Sequence, residues 1–395
     1  MGKQLEAVIS YDQALEIDPQ NAQILYEKGI ALAQRERYDD AIRAFEATLA
    51  IEPDNALGSY YLGIAYGGRE RYDDAITAFE NSIALDAANA LAHHYLGIAL
   101  VERERYAEAV TTFADALALD PTNASSHYYE GIAFLQLKRY DEAIAAFQKA
   151  TELDPKLTDS FMYEGIALAR LSRYEEAVQA LDKSLAANPS LVDALVCRGE
   201  SLVTLERYAD AIETFDRILS LDPGLVDIWM QKGNAQDRLA RKQDALYSYT
   251  KVLEINPNLT DAWVKKGMAL YDLGKLPDAI VAFTRALDIN PALCDVWMKK
   301  GDALNQLGRT QDAVDAYTKS LRINPEQVSG WVKDGKALFD LGRDQDAIDA
   351  FDNAISLNQR TLEAFHYKGL ALEKINRIEE AVQVFEVLLL SLIHI

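Results

Sequence analysis

Cysteine, basic side chains and long apolar runs are scarce in this chain of 395 residues, and each scarcity excludes a class of protein. The two cysteines, Cys197 and Cys294, lie far apart in the sequence, too distant to pair in an elongated repeat protein, which agrees with a reducing compartment. No apolar run reaches the roughly 18 residues of a membrane-spanning helix, and the N-terminus lacks the pattern of a signal peptide. We therefore predict a cytoplasmic protein.

The shortage of basic residues also limits the partners. Acidic side chains number 62 and basic ones 40, which gives a net charge of −22. Nucleic acids and anionic membranes bind through clustered lysine and arginine, so we expect neither as a partner. A neutral or basic protein partner is easier to accept, although the charge has a simpler explanation in solubility.

Motifs of catalysis and of metal binding are missing as well. The chain has no phosphate-binding glycine loop, no His-Glu-x-x-His and no paired-cysteine zinc spacing. His93 and His127 stand 34 residues apart, but two histidines without further ligands make a weak metal site. We predict no cofactor, no metal and no catalytic residue.

The strongest regularity present is a glycine that returns every 34 residues, without a gap. The series is Gly29, Gly63, Gly97, Gly131, Gly165, Gly199, Gly233, Gly267, Gly301, Gly335 and Gly369. An alanine follows each glycine after twelve residues, from Ala41 to Ala381. A fixed period of this length indicates one supersecondary unit copied in tandem, each copy burying its apolar face against its neighbours.

Residues 258–290 show what one repeat contains. The stretches 261–273 and 277–289 each place apolar residues three and four apart, the spacing of one helical stripe. A short polar turn separates them and a proline closes most repeats, so we predict one helical hairpin per repeat. We expect the repeat glycine to face the repeat alanine and to bring the two backbones close together.

Seven positions of this repeat resemble the tetratricopeptide repeat family. The matching residues are Trp263, Gly267, Leu270, Ala279, Phe283, Ala286 and Pro291. The resemblance extends over essentially the whole chain. It implies an all-α fold, a right-handed superhelical solenoid of stacked helix-turn-helix repeats, and a concave groove that binds a protein or peptide.

The sequence changes character along the array. We predict that residues 1–21 are the second helix of an incomplete leading repeat, and that residues 22–225 form six repeats with tyrosine-type turns and an apolar, aromatic inner face. Residues 226–361 form four repeats with tryptophan-type first helices and a charged inner face, and residues 362–395 form a last, irregular repeat. Residues 390–395 resemble a translated sequencing adapter, so we expect the natural protein to continue beyond residue 389.

Function is expected on the stripe of each first helix that does not face its partner helix, because packing leaves that stripe free. In the first block the predicted peptide-binding groove consists of Tyr60, Tyr61, Ile64, His94, Tyr95, Ile98, Tyr128, Tyr129, Ile132, Tyr163 and Ile166. Tyrosine gives a large contact area at low entropic cost, which suits peptide recognition. The alternative is that these side chains pack between successive first helices.

In the second block the same stripe is charged, and we regard it as a secondary face formed by Asn234, Lys265, Lys299 and Lys333. Asp261 and Asp295 stand four residues before Lys265 and Lys299, the favourable order for ion pairs within a helix. We therefore predict a solvated, internally paired face, with a site for an acidic peptide as the alternative.

These observations together predict a non-catalytic protein–protein interaction scaffold in the cytoplasm of a prokaryote. Its partner would place a peptide or a helical segment in the groove. The alternative is the substrate-recruiting repeat arm of a larger enzyme, such as a glycosyltransferase, with a catalytic domain that this chain does not contain.

Overall fold

The computed structural model describes residues 2–393, with side chains from Leu5 to Leu390. Within that range the chain consists of α-helices joined by short loops, and no strand is present, as predicted for an all-α solenoid. The helices are α1 (Gly2–Ile17), α2 (Ala22–Ala33), α3 (Tyr38–Ile51), α4 (Ala56–Gly67), α5 (Tyr72–Leu85), α6 (Ala90–Glu102), α7 (Tyr106–Leu119), α8 (Ala124–Gln136), α9 (Tyr140–Leu153), α10 (Asp159–Arg170), α11 (Tyr174–Ala187), α12 (Val192–Thr204), α13 (Tyr208–Leu221), α14 (Val226–Arg238), α15 (Lys242–Ile255), α16 (Thr260–Asp272), α17 (Leu276–Ile289), α18 (Cys294–Gln306), α19 (Thr310–Ile323), α20 (Val328–Asp340), α21 (Asp344–Leu357), α22 (Leu362–Lys374) and α23 (Ile378–Ile393).

The helices divide into two compact units, Met1–Glu206 and Arg207–Ile395, called unit 1 and unit 2 below. Within each unit, an even-numbered first helix pairs with the odd-numbered second helix that follows it, and that second helix also packs on the next first helix. The change of inner-face sequence that we predict at residues 225 and 226 lies one helix beyond the unit boundary and stays a prediction. Residues 394 and 395, part of the adapter-like segment, lie outside the described range.

At most repeat glycines an aromatic ring of the second helix fills the space that the missing side chain leaves, and at Gly165 the side chain of Leu181 does so. A Cβ atom added to Gly63 would lie 2.6 Å from the ring of Phe79, on the second helix of the same hairpin. The ring is 2% exposed and Ala75 beside it is fully buried. The missing side chain therefore makes room for the ring, in addition to the close approach of the repeat alanine that we expected: at Gly165 the carbonyl oxygen of Ala177 lies 3.2 Å from the position of an added Cβ atom.

The turn between the two helices of a hairpin contains one residue in the left-handed conformation. In unit 1 this residue is not glycine, for example Glu70 with a φ of 58° and Glu104 with a φ of 57°. The backbone N–H of the next residue, Arg105, donates to the carbonyl of Leu100 at 2.8 Å, which closes the end of α6. In three turns of unit 2 a glycine takes the position, with φ between 71° and 74°.

The acidic residue in the first turn of most second helices pairs with the arginine that precedes that helix. In α7 the Arg105 guanidinium lies 2.6 Å from the Glu108 carboxylate. The same pair recurs as Arg37–Asp40, Arg71–Asp74, Arg139–Glu142, Arg173–Glu176, Arg207–Asp210, Arg241–Asp244, Arg309–Asp312, Arg343–Asp346 and Arg377–Glu380. These pairs are exposed, so each contributes little to stability. They nevertheless give each of these carboxylates an arginine as its ion-pair partner.

Candidate protein interaction surface

The inner stripe of unit 1 is set by helix geometry relative to the repeat glycine. In α6, Gly97 and Leu100 are buried toward α7, whereas Tyr95 and Ile98 are only half-buried. Residues two before a repeat glycine and one after it therefore lie on the side away from the second helix. We expected the same of the residue three before the glycine, but its ring contacts the second helix of its own hairpin, as Tyr60 contacts Phe79 at a centroid distance of 6.2 Å. The same offsets place the other predicted groove residues on α4, α8 and α10.

Aromatic rings on this stripe form one continuous row, which we call the tyrosine ladder. It consists of Tyr26, Tyr60, Tyr61, His94, Tyr95, Tyr128, Tyr129 and Tyr163. Between helices, the ring centroids of Tyr60 and Tyr95 are 6.0 Å apart, with the planes at 60°. Within a helix, those of Tyr128 and Tyr129 are 5.1 Å apart at 76°. Edge-to-face contacts at these distances are the favourable geometry for aromatic pairs, so the row is ordered from α2 to α10.

Each ladder residue two before a glycine also lies over a buried ring of the preceding hairpin. The ring of Tyr95 is stacked on Phe79 at a centroid distance of 6.2 Å and an angle of 18°. The same arrangement joins Tyr61 to Phe45, Tyr129 to Phe113 and Tyr163 to Phe147. The alternative of packing between repeats is thus part of the arrangement, since one face of each of these rings belongs to the core.

Exposure divides the predicted groove residues into two groups. Tyr60 and His94 are buried, at 8% and 5% exposure. The half-buried members are Tyr61, Ile64, Tyr95, Ile98, Tyr128, Tyr129, Ile132, Tyr163 and Ile166. Burial lowers the pKa of His94 to about 4, and its Nδ1 lies 2.8 Å from the Ser126 hydroxyl. His94 is therefore a neutral ring at physiological pH, and the ladder carries no positive charge there.

A cleft of about 470 Å³ lies where the inner stripe continues onto α12. Its lining includes Ile166 and Arg170 of α10 and Asp193, Cys197 and Glu200 of α12. Sequence reasoning did not select the α12 residues, although their offsets from the repeat glycine match those of the ladder. Burial raises the pKa of the Cys197 thiol to about 11, so this cysteine is a thiol rather than a nucleophilic thiolate.

In unit 2 the same stripe is polar and largely engaged within the chain. The Lys333 ammonium lies 2.7 Å from the Asp302 carboxylate of the preceding repeat. The hydroxyl of Tyr317, itself buried, donates to Asp302 at 3.0 Å. The Asn234 side-chain oxygen accepts from the Tyr249 hydroxyl at 3.1 Å, so these positions are held in networks.

The ion pairs that we expected within single helices do not form. Among the described residues, neither Asp261 with Lys265 nor Asp295 with Lys299 comes within ion-pair distance; the Lys299 ammonium lies 5.4 Å from the ring centroid of Tyr271 instead. Lys333 pairs with Asp302 of the preceding repeat, and Lys299 lies near the aromatic ring of Tyr271. Spacing along one helix could not reveal either contact.

His93 and His127 each place a ring nitrogen against a loop carbonyl. The His93 Nε2 atom lies 3.2 Å from the carbonyl oxygen of Ala87, and the His127 Nε2 lies 3.3 Å from that of Pro121. In unit 2 the indole of Trp263 donates to the carbonyl of Pro257 at 2.8 Å in the same way. The described residues contain no group of three or more side chains placed to hold a metal ion.

Comparison with protein families finds one repeat type throughout the chain. The tetratricopeptide repeat (TPR) model matches residues 3–56, 60–124, 96–158, 162–226, 198–260, 230–293, 264–328 and 333–390. No curated protein gives a significant match. In the portion of the chain that the structure describes, no helix has the length and apolar character to cross a membrane.

Solved structures share parts of the array. YrrB, a TPR protein with an unusual peptide-binding site, is 24% identical, with a TM-score of 0.44 over 48% of this chain and 97% of that one. MamA from Desulfovibrio magneticus RS-1 is 22% identical, with a TM-score of 0.41 over 43% and 96%. The complex of Naa15/Naa10 bound to HypK-THB is 14% identical, with a TM-score of 0.38 over 95% and 71%. At TM-scores below 0.5, these likenesses support no statement about the function of this chain.

Proposed function

The chain belongs to the tetratricopeptide repeat family, and we propose that it is a non-catalytic scaffold whose tyrosine ladder binds a peptide or helical segment of another protein. TPR arrays are protein-interaction scaffolds, and their fold is typically non-catalytic. The observation that carries the proposal is the continuous row of aromatic rings, most of them half-buried, with half-buried isoleucines beside it from α4 to α10. A cytoplasmic location and the exclusion of nucleic acid and membrane partners remain predictions.

The ladder has the physical properties of a binding surface. One face of Tyr95 is fixed by stacking on Phe79, so its remaining surface is presented without a further loss of side-chain entropy. The neighbouring Ile98 adds an aliphatic contact on the same stripe. A segment that covers these groups gains from apolar burial, while tyrosine hydroxyls offer hydrogen bonds at the rim.

The proposal is tested by removing the ladder tyrosines of two neighbouring first helices, α6 and α8. We expect the Tyr95→Ala and Tyr129→Ala double variant to lose the proteins that the tagged wild-type chain recovers from a lysate, as quantified by mass spectrometry. Circular dichroism must first show that the helical content is unchanged, because both rings also pack on buried phenylalanines.

Tyr247→Ala is the matched control, since Tyr247 is 55% exposed and lies on a second helix of unit 2. The control variant should recover the same proteins as the wild type. Equal recovery by the ladder variant would remove this surface as the binding site.

A further inference from the structure

We infer that the segment accepted by the tyrosine ladder is cationic and amphipathic, with lysine or arginine interleaved among aromatic or aliphatic residues. This inference depends on the proposed function, because it specifies the partner of the same surface. The ladder supplies the apolar contacts, and acidic side chains along it supply the charge preference.

Two carboxylates, those of Glu102 and Asp159, lie on helices that carry the ladder. Burial raises the pKa of Tyr129, and the next contribution comes from the nearby Glu102 carboxylate, which also acts on Tyr72. Asp159 contributes to the raised pKa of Tyr128, after burial and Tyr163. Glu102 stands five residues after Gly97 and Asp159 six residues before Gly165, so both lie at offsets of the inner stripe.

Positive charge is missing from most of the same stripe. Six, three and two residues before the repeat glycine, and one and five after it, the helices α2, α4, α6 and α8 have no lysine or arginine. Arg170 of α10 is the first basic residue at these offsets, and it lies in the cleft with Asp193 and Glu200. The stripe therefore presents apolar rings bordered by negative charge.

The carboxylates on this stripe are unpaired, unlike those elsewhere in the repeats. Most first-turn acids of the second helices hold an arginine, as Glu108 holds Arg105 at 2.6 Å. Among the described side chains, Glu102, Asp159, Asp193 and Glu200 have no ion-pair partner. A cationic side chain of a partner would thus gain a charge contact without breaking one that already exists.

The charge of the whole unit favours the same partner. Residues 1–206 contain 34 acidic and 17 basic side chains, whereas residues 207–395 contain 28 and 23. A net charge of −17 against −5 means that a cationic segment is steered toward unit 1. The faces of half-buried tyrosines also attract lysine and arginine through cation–π contacts.

The test uses the full chain and three fluorescein-labelled synthetic peptides. They share one pattern of leucine, phenylalanine and tyrosine, and they carry lysine, glutamine or glutamate at the intervening positions. We expect fluorescence polarisation to show binding of the lysine peptide about tenfold tighter than that of the glutamine peptide, and a loss of this advantage at high salt.

Variants that each remove one negative charge distinguish an effect of the carboxylates beside the ladder from an effect of the net negative charge of unit 1. Glu102→Gln and Asp159→Asn should each weaken the lysine peptide by about threefold and leave the glutamine peptide unchanged. The control is Asp115→Asn, which removes the same charge from an exposed position on the second helix α7. An equal effect of the control, or tighter binding of the glutamate peptide, would overturn the inference.

The outcome also distinguishes the inference from the proposed function. If all three peptides bind equally and lose binding in the Tyr95→Ala and Tyr129→Ala variant, the ladder is the site but the charge preference is wrong. If the lysine peptide binds that variant as well as the wild type, the proposed site itself fails.

Discussion

Unit 1 and unit 2 use the same packing to support different surfaces. In both, the ring of a second-helix residue fills the space opposite a repeat glycine, as Phe79 does for Gly63 and Phe283 for Gly267. The inner stripe, in contrast, carries a row of tyrosines in unit 1 and a network of lysine, aspartate and asparagine in unit 2. The repeat glycine and the ring against it are therefore kept in both units, whereas the inner stripe differs between them.

The loops differ between the units in a related way. Before α2, α4, α6 and α8 of unit 1, asparagine side chains accept backbone N–H groups, as Asn55 does from Gly58 at 2.7 Å. Before α14, α16, α18 and α20 of unit 2, leucine or glutamine takes this position without a side-chain bond. The bond from a ring to the loop carbonyl occurs in both units, from Trp297 to Pro291 in unit 2 and between His93 and Ala87 in unit 1.

The largest expected effect tests whether the packing is common to both units. Gly63→Ala and Gly267→Ala place a Cβ atom 2.6 Å and 2.5 Å from a buried ring, so we expect each to lower the free energy of unfolding by about 2–3 kcal/mol. Urea unfolding followed by circular dichroism measures it. Gly67→Ala, in the same helix as Gly63 but with nothing within 4 Å, is the control and should be neutral or stabilising. A large loss in only one unit would contradict a shared packing rule.

A smaller effect concerns the residue just before the repeat glycine. Lys232 and Lys368 at this position pair with aspartates of the preceding second helix at 2.5 Å. Asp334 takes the position in α20, where burial raises its pKa to about 7 and its Oδ1 atom has no hydrogen-bond partner. The unfolded chain releases this proton near pH 3.9, so stability falls as the pH rises from about 4 to about 7.

Replacing the buried carboxyl should remove that loss. We expect Asp334→Asn to be more stable than the wild type by about 1–2 kcal/mol at pH 8, with the difference disappearing toward pH 4. Thermal unfolding over this pH range is the measurement. Asp340→Asn, an exposed change in the same helix, should leave the pH profile as it is. A pH-independent gain in the Asp334 variant would show that ionisation is not the cause.

The smallest effect is expected when the residues of the hairpin turns are exchanged between the units. Gly308 has a φ of 74°, which costs a residue with a Cβ about 1 kcal/mol, so Gly308→Ala should destabilise its hairpin by that amount. The reverse change, Glu104→Gly at a φ of 57°, should gain about 0.5–1 kcal/mol. Unfolding midpoints of the two variants that shift in the same direction would refute the conformational explanation.

Most of the fold could be predicted because the period repeats without interruption. The ends of the predicted stretches 261–273 and 277–289 differ from those of α16 and α17 by no more than one residue. Predictions that depended on a neighbouring helix did less well. The ring that lies against the repeat glycine was not predicted, and Lys265 and Lys299 were paired along their own helices, because spacing along one helix contains no information on the side chains of a neighbouring helix. The assignment of the ladder as a binding surface stays a prediction until partners are measured.

The amino-acid sequence by itself determined the helical hairpin and its number of copies, since these follow from the 34-residue repeat and a local periodicity of three to four residues. Only the tertiary structure decided how far each side chain of the inner stripe is exposed. Tyr60 and His94 are buried while Tyr61 and Tyr95 are half-buried, although all four lie at ladder positions. The physical reason is that exposure depends on which rings lie against a side chain: Tyr60 and His94 contact the ring on their own second helix and a tyrosine of the following repeat.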